Sequence, residues 1–255
     1  MVDIDTRPWV EKYRPTQFDD IVLDPLNRKL LENIVTQNNF PNLLFYGPPG
    51  TGKTTTIINL IDKYQEVYHQ KRKGLKIHLN ASDDRGIDVI RNQINQFVNT
   101  KTLFGNGMKF VILDEVDYMT KNAQQALRYL IQQYGKNIRF CLICNYISRI
   151  DTALQNEFIR LRFCQLPTKD TYSFLNKIVE NENLNITKKQ LKTIQMRFKS
   201  DIRSMINYLQ SNHDNININT DILTDKFIEK MIEKLKKTKK NKENIVCKVC
   251  KKHNI

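Results

Sequence analysis

The sequence predicts an α/β protein: an open parallel sheet carrying a phosphate-binding loop, followed by a smaller all-α domain. Three observations point there. The apolar run Leu43-Leu44-Phe45-Tyr46 leads into Gly47, four further residues, and then Gly52-Lys53-Thr54, with a helical pattern from Thr55. Further apolar runs at 109–117 and 138–145 end in polar residues and alternate with helical stretches, as in a parallel sheet covered on both faces. After Pro167 no strand pattern recurs.

Taken in order, the opening segment Pro8-Trp9-Val10-Glu11-Lys12-Tyr13-Arg14-Pro15 has two prolines and no clear period, so it reads as an extended arm. Asp24-Pro25 starts a helix through Leu26, Leu30, Leu31 and Ile34. The helix after the phosphate loop runs to about His69. Leu75-Lys76-Ile77-His78-Leu79 alternates like a strand, and residues 87–98 have helical spacing through Ile87, Ile90, Ile94 and Phe97. Another helix spans 123–134 and stops at Gly135. Helical stretches at 169–180, 187–198, 202–210 and 224–237 form the second domain, while residues 212–219 read as a low-complexity loop. The expected organisation is a core over 1–165, a helical lid over 166–237 and a basic, disordered tail over 238–255.

Composition narrows the classes. No apolar run approaches the ~20 residues of a membrane span, and the acidic start Met1-Val2-Asp3-Ile4-Asp5 does not resemble a secretion signal. The expectation is a soluble, intracellular protein that is not secreted. Five scattered cysteines fit free thiols in a reducing compartment. A net charge of +14 suits a polyanionic partner such as nucleic acid, although part of it sits in the tail. Cys247-Lys248-Val249-Cys250 with His253 has metal-like spacing but offers three ligands where zinc takes four. A lysine-rich tail with incidental thiols explains it better.

The phosphate loop defines the chemistry. Glycines let backbone N–H groups face phosphate oxygens, and the helix start adds partial positive charge. Lys53 supplies a point charge and Thr54 a hydroxyl for Mg²⁺. Asp114 and Glu115, closing their own strand, suit an aspartate that helps hold Mg²⁺ and a carboxylate that polarises the attacking water. Asn145, closing another, suits a group that orients that water or senses the γ-phosphate. Arg203, at a helix start, either folds over the nucleotide or remains a surface charge.

Five stretches together resemble a known family. They are Trp9-Val10-Glu11-Lys12-Tyr13-Arg14-Pro15, Gly47-Pro48-Pro49-Gly50-Thr51-Gly52-Lys53-Thr54, Leu79-Asn80-Ala81-Ser82-Asp83-Asp84-Arg85-Gly86-Ile87-Asp88, Leu113-Asp114-Glu115-Val116-Asp117 and Cys144-Asn145-Tyr146. The likeness, over about 7–210, is to the small subunits of replication factor C, the AAA+ clamp loader that uses ATP to open a sliding clamp and place it on primed DNA. It implies an AAA+ P-loop fold with an all-α lid, and ATP with Mg²⁺ as cofactors. The implied partners are other ring subunits, a PCNA-like clamp and primer–template DNA, without a membrane, in the nucleus or at a viral replication site. It implies a nucleotide-binding set of Val10 and Tyr13 near adenine, Arg14 near the phosphates, Gly47, Pro48, Pro49, Gly50, Thr51, Gly52, Lys53, Thr54, Thr55, Asn145 as first sensor and Arg203 as second sensor. Thr54 and Asp114 would hold Mg²⁺, Glu115 would serve catalysis with Lys53, Asn145 and Arg203, and Arg85 and Arg91 would touch template phosphates. The segment 96–104 is either clamp contact or core.

Two departures qualify the likeness. Where the family carries a Ser-Arg-Cys box whose arginine reaches the neighbour's ATP, this chain has Asn156-Glu157-Phe158; Arg149, Arg160 or Arg128 could substitute. Family members also continue into a helical collar, whereas the basic stretch ending at Ile255 cannot form such a bundle. Either assembly rests on the ATPase domains, or the chain is a truncated copy. The expected function is an ATP-hydrolysing clamp-loader subunit, an ATPase active within an oligomer. The alternative is a hydrolysis-poor nucleotide-binding module with a structural or regulatory place in the ring. A helicase-type AAA+ motor fits the Trp9 and Ala81 boxes less well.

Overall fold

A computed structural model describes residues 7–69, 74–82, 86–100, 107–135 and 138–212. The chain divides into two compact units, Arg14–Pro167 and a second that joins residues 7–13 to the helices from Thr168 onward.

The first unit is built on a five-stranded sheet of order β2-β3-β4-β1-β5, where β1 is Leu43–Tyr46, β2 Lys76–Asn80, β3 Lys109–Asp114, β4 Ile138–Cys144 and β5 Ile159–Arg162. Every pairing is parallel. Successive side chains alternate between faces, so each central strand serves two cores. Leu43, Phe45, Phe110, Ile112, Cys141 and Ile143 pack with Ile57, Leu60 and Ile61 of α3 (Lys53–Val67). Leu44, Val111, Leu113 and Leu142 pack on the other side with Leu127 and Ile131 of α5 (Lys121–Tyr134). These residues are almost fully buried, which explains why β3 and β4 read as continuous apolar runs.

Local signals set the helix starts. α2 (Pro25–Thr36) begins at Asp24, whose carboxylate accepts the N–H groups of Leu26 and Asn27, with Pro25 in the first turn where no donor is missed. Thr120 caps α5 and Asp151 caps the short α6 (Thr152–Gln155) in the same way. α4 (Gly86–Asn99) follows β2.

The second unit comprises α7 (Thr168–Asn181), α8 (Lys188–Phe198) and α9 (Ile202–Ser211) around Leu175, Ile178, Leu191, Ile194, Met205 and Leu209. Thr187 and Gln190 form a reciprocal capping box at the start of α8. The segment expected as an extended arm instead contains one helical turn, α1 (Trp9–Lys12). Its Trp9 is buried in the helical core, and its N–H donates to Gln210 Oε1 at 3.0 Å. Burying so large an aromatic outweighs the weak local preference. Residues 7–13 thus group with the helices, not with the core placed at 1–165. A second difference is β5, for which 145–167 showed no recognised strand: it is a four-residue edge strand with one buried side chain, Leu161, so its apolar signal is faint. The helix expected at 224–237, the asparagine-rich loop beyond Asn212 and the cysteine-bearing tail lie outside the described residues.

Candidate nucleotide site

The phosphate loop sits at the carboxyl ends of β1 and β4, where Tyr46 and Cys144 are register partners. This level pairing brings the residues after each strand, Gly47 and Asn145, side by side. Ligands of open α/β sheets bind at this end.

Gly47 has φ +143°, and a Cβ there would lie 1.8 Å from the carbonyl oxygen of Phe163. Only glycine lets the loop pass this close to the chain leaving β5. Gly52, at φ +83°, is the residue before α3, and no side chain caps that helix. The first-turn N–H groups of α3 therefore face the loop, ready for an anion.

Lys53 is 6% exposed, an unusual state for a lysine. Its ammonium donates to the carbonyls of Gly47 and Pro48, both at 2.8 Å, and to Asn145 Oδ1 at 3.0 Å. It thus ties the loop to the end of β4. Thr54 Oγ1 donates to Asp114 Oδ2 at 2.7 Å, and the backbone N–H of Glu115 donates to Asp114 Oδ1 at 2.8 Å. Thr51 and Thr56 stiffen the loop through hydroxyl bonds to the carbonyls of Pro48 and Gly52. Arg14 Nε donates to Thr55 Oγ1 at 3.2 Å on the first turn of α3.

Burial by itself would raise the pKa of Asp114. The neighbouring His78, the Thr54 hydroxyl and the Glu115 N–H outweigh it and hold the carboxyl below its ordinary value. His78 Nε2 stands 3.9 Å from Asp114 Oδ2, beyond hydrogen-bond reach, so its part is attraction once the imidazole is protonated. A lowered folded pKa means that this carboxylate stabilises the fold above the ordinary carboxylate range, and that the contribution is lost as pH falls through the depressed value.

Glu115 has φ 58° and ψ 36°, the left-handed region that a side chain of its size rarely adopts. Strain of this kind collects where geometry serves function. Asp117 is buried; its Oδ2 accepts the N–H of Tyr146 at 3.2 Å and holds the residue after Asn145 to the segment after β3. The sequence showed this carboxylate only as part of a box, with nothing to signal the bridge. Cys144 is buried under the site, and burial with nearby Asp117 pushes its thiol up to about 12. It is a packing group, not a nucleophile.

Hydroxyl and carboxylate oxygens of Thr54 and Asp114 are hard donors suited to Mg²⁺, which accepts few protein ligands and takes the rest from water and phosphate. Among the described residues no cluster of three or more His, Cys, Asp or Glu could hold a metal ion alone.

The other expected site residues are placed as follows. Val10 and Tyr13 pack against the helical core around Trp9, and Tyr13 Oη donates to Glu182 Oε1. Arg203 is exposed on the first turn of α9. Arg91 is exposed on α4, while Arg85 lies outside the described residues. Phe97 and Val98 pack on the core beneath α4, so this part of 96–104 reads as core. Glu157 accepts from Arg128 Nε at 3.4 Å and Gln132 Nε2 at 2.8 Å. Of the other arginines near it in sequence, Arg160 donates to Gln155 Oε1 at 3.1 Å and Arg149 lies over the rings of Tyr118 and Tyr146.

Comparison with known proteins agrees with this geometry. Residues 43–166 match the family described as "ATPase family associated with various cellular activities (AAA)". Replication factor C subunit 3 of Schizosaccharomyces pombe is 43% identical over 208 residues, 82% of this chain and 60% of the relative. Replication factor C subunit 5 of Homo sapiens is 43% identical, covering 80% of this chain and 59% of its own length. Replication factor C small subunit 2 of Pyrobaculum islandicum is 44% identical over 79% of this chain and 62% of its own. The chain thus spans about 60% of the length of these relatives. Among solved structures, the Thermotoga maritima RuvB Holliday junction branch migration motor aligns with TM-score 0.61 at 17% identity, covering 94% of this chain and 72% of that one, a likeness of fold. The matched residues 43–166 hold the whole sheet and the phosphate loop, so this part of the chain is an AAA ATPase domain, in a chain similar to replication factor C subunits.

Proposed function

We propose that this chain is the ATP-binding and ATP-hydrolysing small subunit of a replication factor C-type clamp loader, which opens a ring-shaped clamp and places it on primed DNA. The observation that carries the reading is the joint geometry of Lys53 with Asn145 and Thr54 with Asp114, in a chain 43% identical to a replication factor C subunit. Partners are the other ring subunits, a PCNA-like clamp and primer–template DNA, and the setting is the nucleus or a viral replication site. Among the described residues no helix is long and apolar enough to cross a membrane.

When ATP enters, its β- and γ-phosphates compete for the Lys53 ammonium now bonded to loop carbonyls and Asn145. Asn145 Oδ1 is then free to accept from water. Glu115 takes a proton from the water that attacks the γ-phosphorus; the bond to the bridging oxygen breaks, leaving ADP and phosphate. Thr54 and Asp114 would hold Mg²⁺, which when bound would supply positive charge against the phosphates. Val10, Tyr13 and Arg14 serve the adenine and phosphate ends, Arg203 acts from the lid as second sensor, and Arg85 and Arg91 hold template phosphates without reading sequence.

Glu157 favours a restricted version of this role. It stands where the family carries an arginine for the neighbour's ATP, and a carboxylate held by Arg128 and Gln132 supplies no such cation. The chain therefore binds ATP on its own side and gives the next subunit little catalysis. A reconstituted complex with its partner subunits tests both statements. Lys53→Ala is expected to abolish ATP-dependent clamp loading, and full loading by that variant would refute the first. Glu157→Arg is expected to raise turnover at the neighbouring site; a wild-type chain already as active there refutes the second.

A further inference from the structure

A cavity of about 550 Å³ opens beside the phosphate loop, and its walls include Gly47, Pro48, Pro49, Asn145, Tyr146 and Arg162. It lies at the ends of β1, β4 and β5, whereas Asp114 closes β3. No part of the role proposed above uses Arg162, because it sits on the strand that the sequence did not reveal.

The backbone around Arg162 is tightly held. Arg162 is the register partner of Tyr46, its carbonyl accepts from Asn27 Nδ2 at 2.8 Å, and the next N–H, that of Phe163, donates to Tyr46 O at 2.8 Å. The Phe163 carbonyl also occupies the space a Cβ on Gly47 would need, so the end of β5 and the loop touch without slack. Arg160 and Arg162 project from the same face of β5. Arg160 is engaged by Gln155, whereas the exposed guanidinium of Arg162 has no hydrogen-bond or ion-pair partner among the described residues. Lys53 spends its donors on two loop carbonyls and on Asn145, while Arg162 leaves all five N–H groups for a ligand. With the start of α3, the two cations place positive charge next to the loop.

We infer that Arg162 binds a phosphate dianion in this cavity and so distinguishes ATP from ADP within its own subunit. The inference rests on nucleotide occupying the phosphate loop, as proposed above. The dianion is either the γ-phosphate still bonded to ATP or free phosphate after cleavage. A planar guanidinium suits either, because it offers paired donors to phosphate oxygens.

The test compares wild type, Arg162→Gln and Arg162→Lys as full chains, measuring affinity for ATP, for ADP and for ADP with added inorganic phosphate. Losing a charge-assisted hydrogen bond predicts about a tenfold weaker hold on ATP in Arg162→Gln, with ADP changed less than about twofold. Arg162→Lys keeps the charge and should recover part of the difference, which also covers the case of a glutamine variant too unstable to bind ADP. If inorganic phosphate tightens ADP binding in wild type alone, the dianion is the released ion; if it does so in neither, the dianion is the γ-phosphate. Equal losses for ATP and ADP, or no loss for either, overturn the inference. A wild-type chain that binds neither nucleotide overturns the nucleotide reading itself, and this one with it.

Discussion

Gly47 is the residue on which most of the site's geometry converges. The motif accounts for it as a glycine that lets backbone approach phosphate, but the structure adds a second constraint from the Phe163 carbonyl behind it. Gly47→Ala should therefore fail in two ways. It should cost more than about 2 kcal/mol of stability, because backbone and not a movable side chain must yield, and it should weaken nucleotide binding by displacing the loop. Urea unfolding and nucleotide titration of the full chain check this; native-like values for both would contradict it. Lys53, Thr54, Asp114, Glu115 and Asn145 were all legible in the sequence, since each stands at a fixed place after an apolar strand. Three things about them were not. The engagement of Lys53 with Asn145 and the Asp117–Tyr146 bridge arise from register between strands far apart in sequence, and the left-handed backbone of Glu115 is one that its residue type does not announce.

Among the elements, the central strands were readable as unbroken apolar runs, β2 by its alternation, and the long helices α3, α5 and α8 by a burial period of about 3.6. Elements that depend on a remote partner were hidden. β5 exposes three of its four side chains and is a strand only because β1 pairs with it. α1 exists because Trp9 finds the helical core. α4 shows a related dependence. Its C-terminal carbonyls are satisfied from outside the helix by Lys109, whose ammonium donates to the carbonyls of Phe97 at 2.7 Å, Val98 at 3.0 Å and Thr100 at 2.6 Å. Burial lowers the pKa of this lysine, yet the three acceptors keep it useful as a cation at a helix C-terminus. Lys109→Met retains the aliphatic stem and removes the donors. It should cost about 1–2 kcal/mol and speed amide exchange in the last turn of α4, with β3 unaffected. Exchange mapped by mass spectrometry checks this, and uniform protection along α4 would contradict it.

For the whole molecule, the charge of +14 fits a protein that works on a polyanion, although composition alone named no particular one. The two units have separate cores, one around the sheet and one around Leu175, Ile194 and Met205, a division already visible where strand patterns stop at Pro167. Its exact line was not visible, because residues 7–13 join the later helices through contacts more than 150 positions away, such as Trp9 with Gln210. The chain spans about 60% of its relatives' length, so the proposed role depends on what these two units do within a larger assembly. The most direct measurement is ATP turnover by the complex reconstituted with partner subunits, primed DNA and clamp, compared between wild type and Glu115→Gln. Stimulation of wild type by DNA and clamp, falling at least about a hundredfold at this subunit's site in the variant while ATP still binds, is the predicted result. A wild-type site that binds ATP but is never stimulated, or a variant that turns over normally, would contradict it.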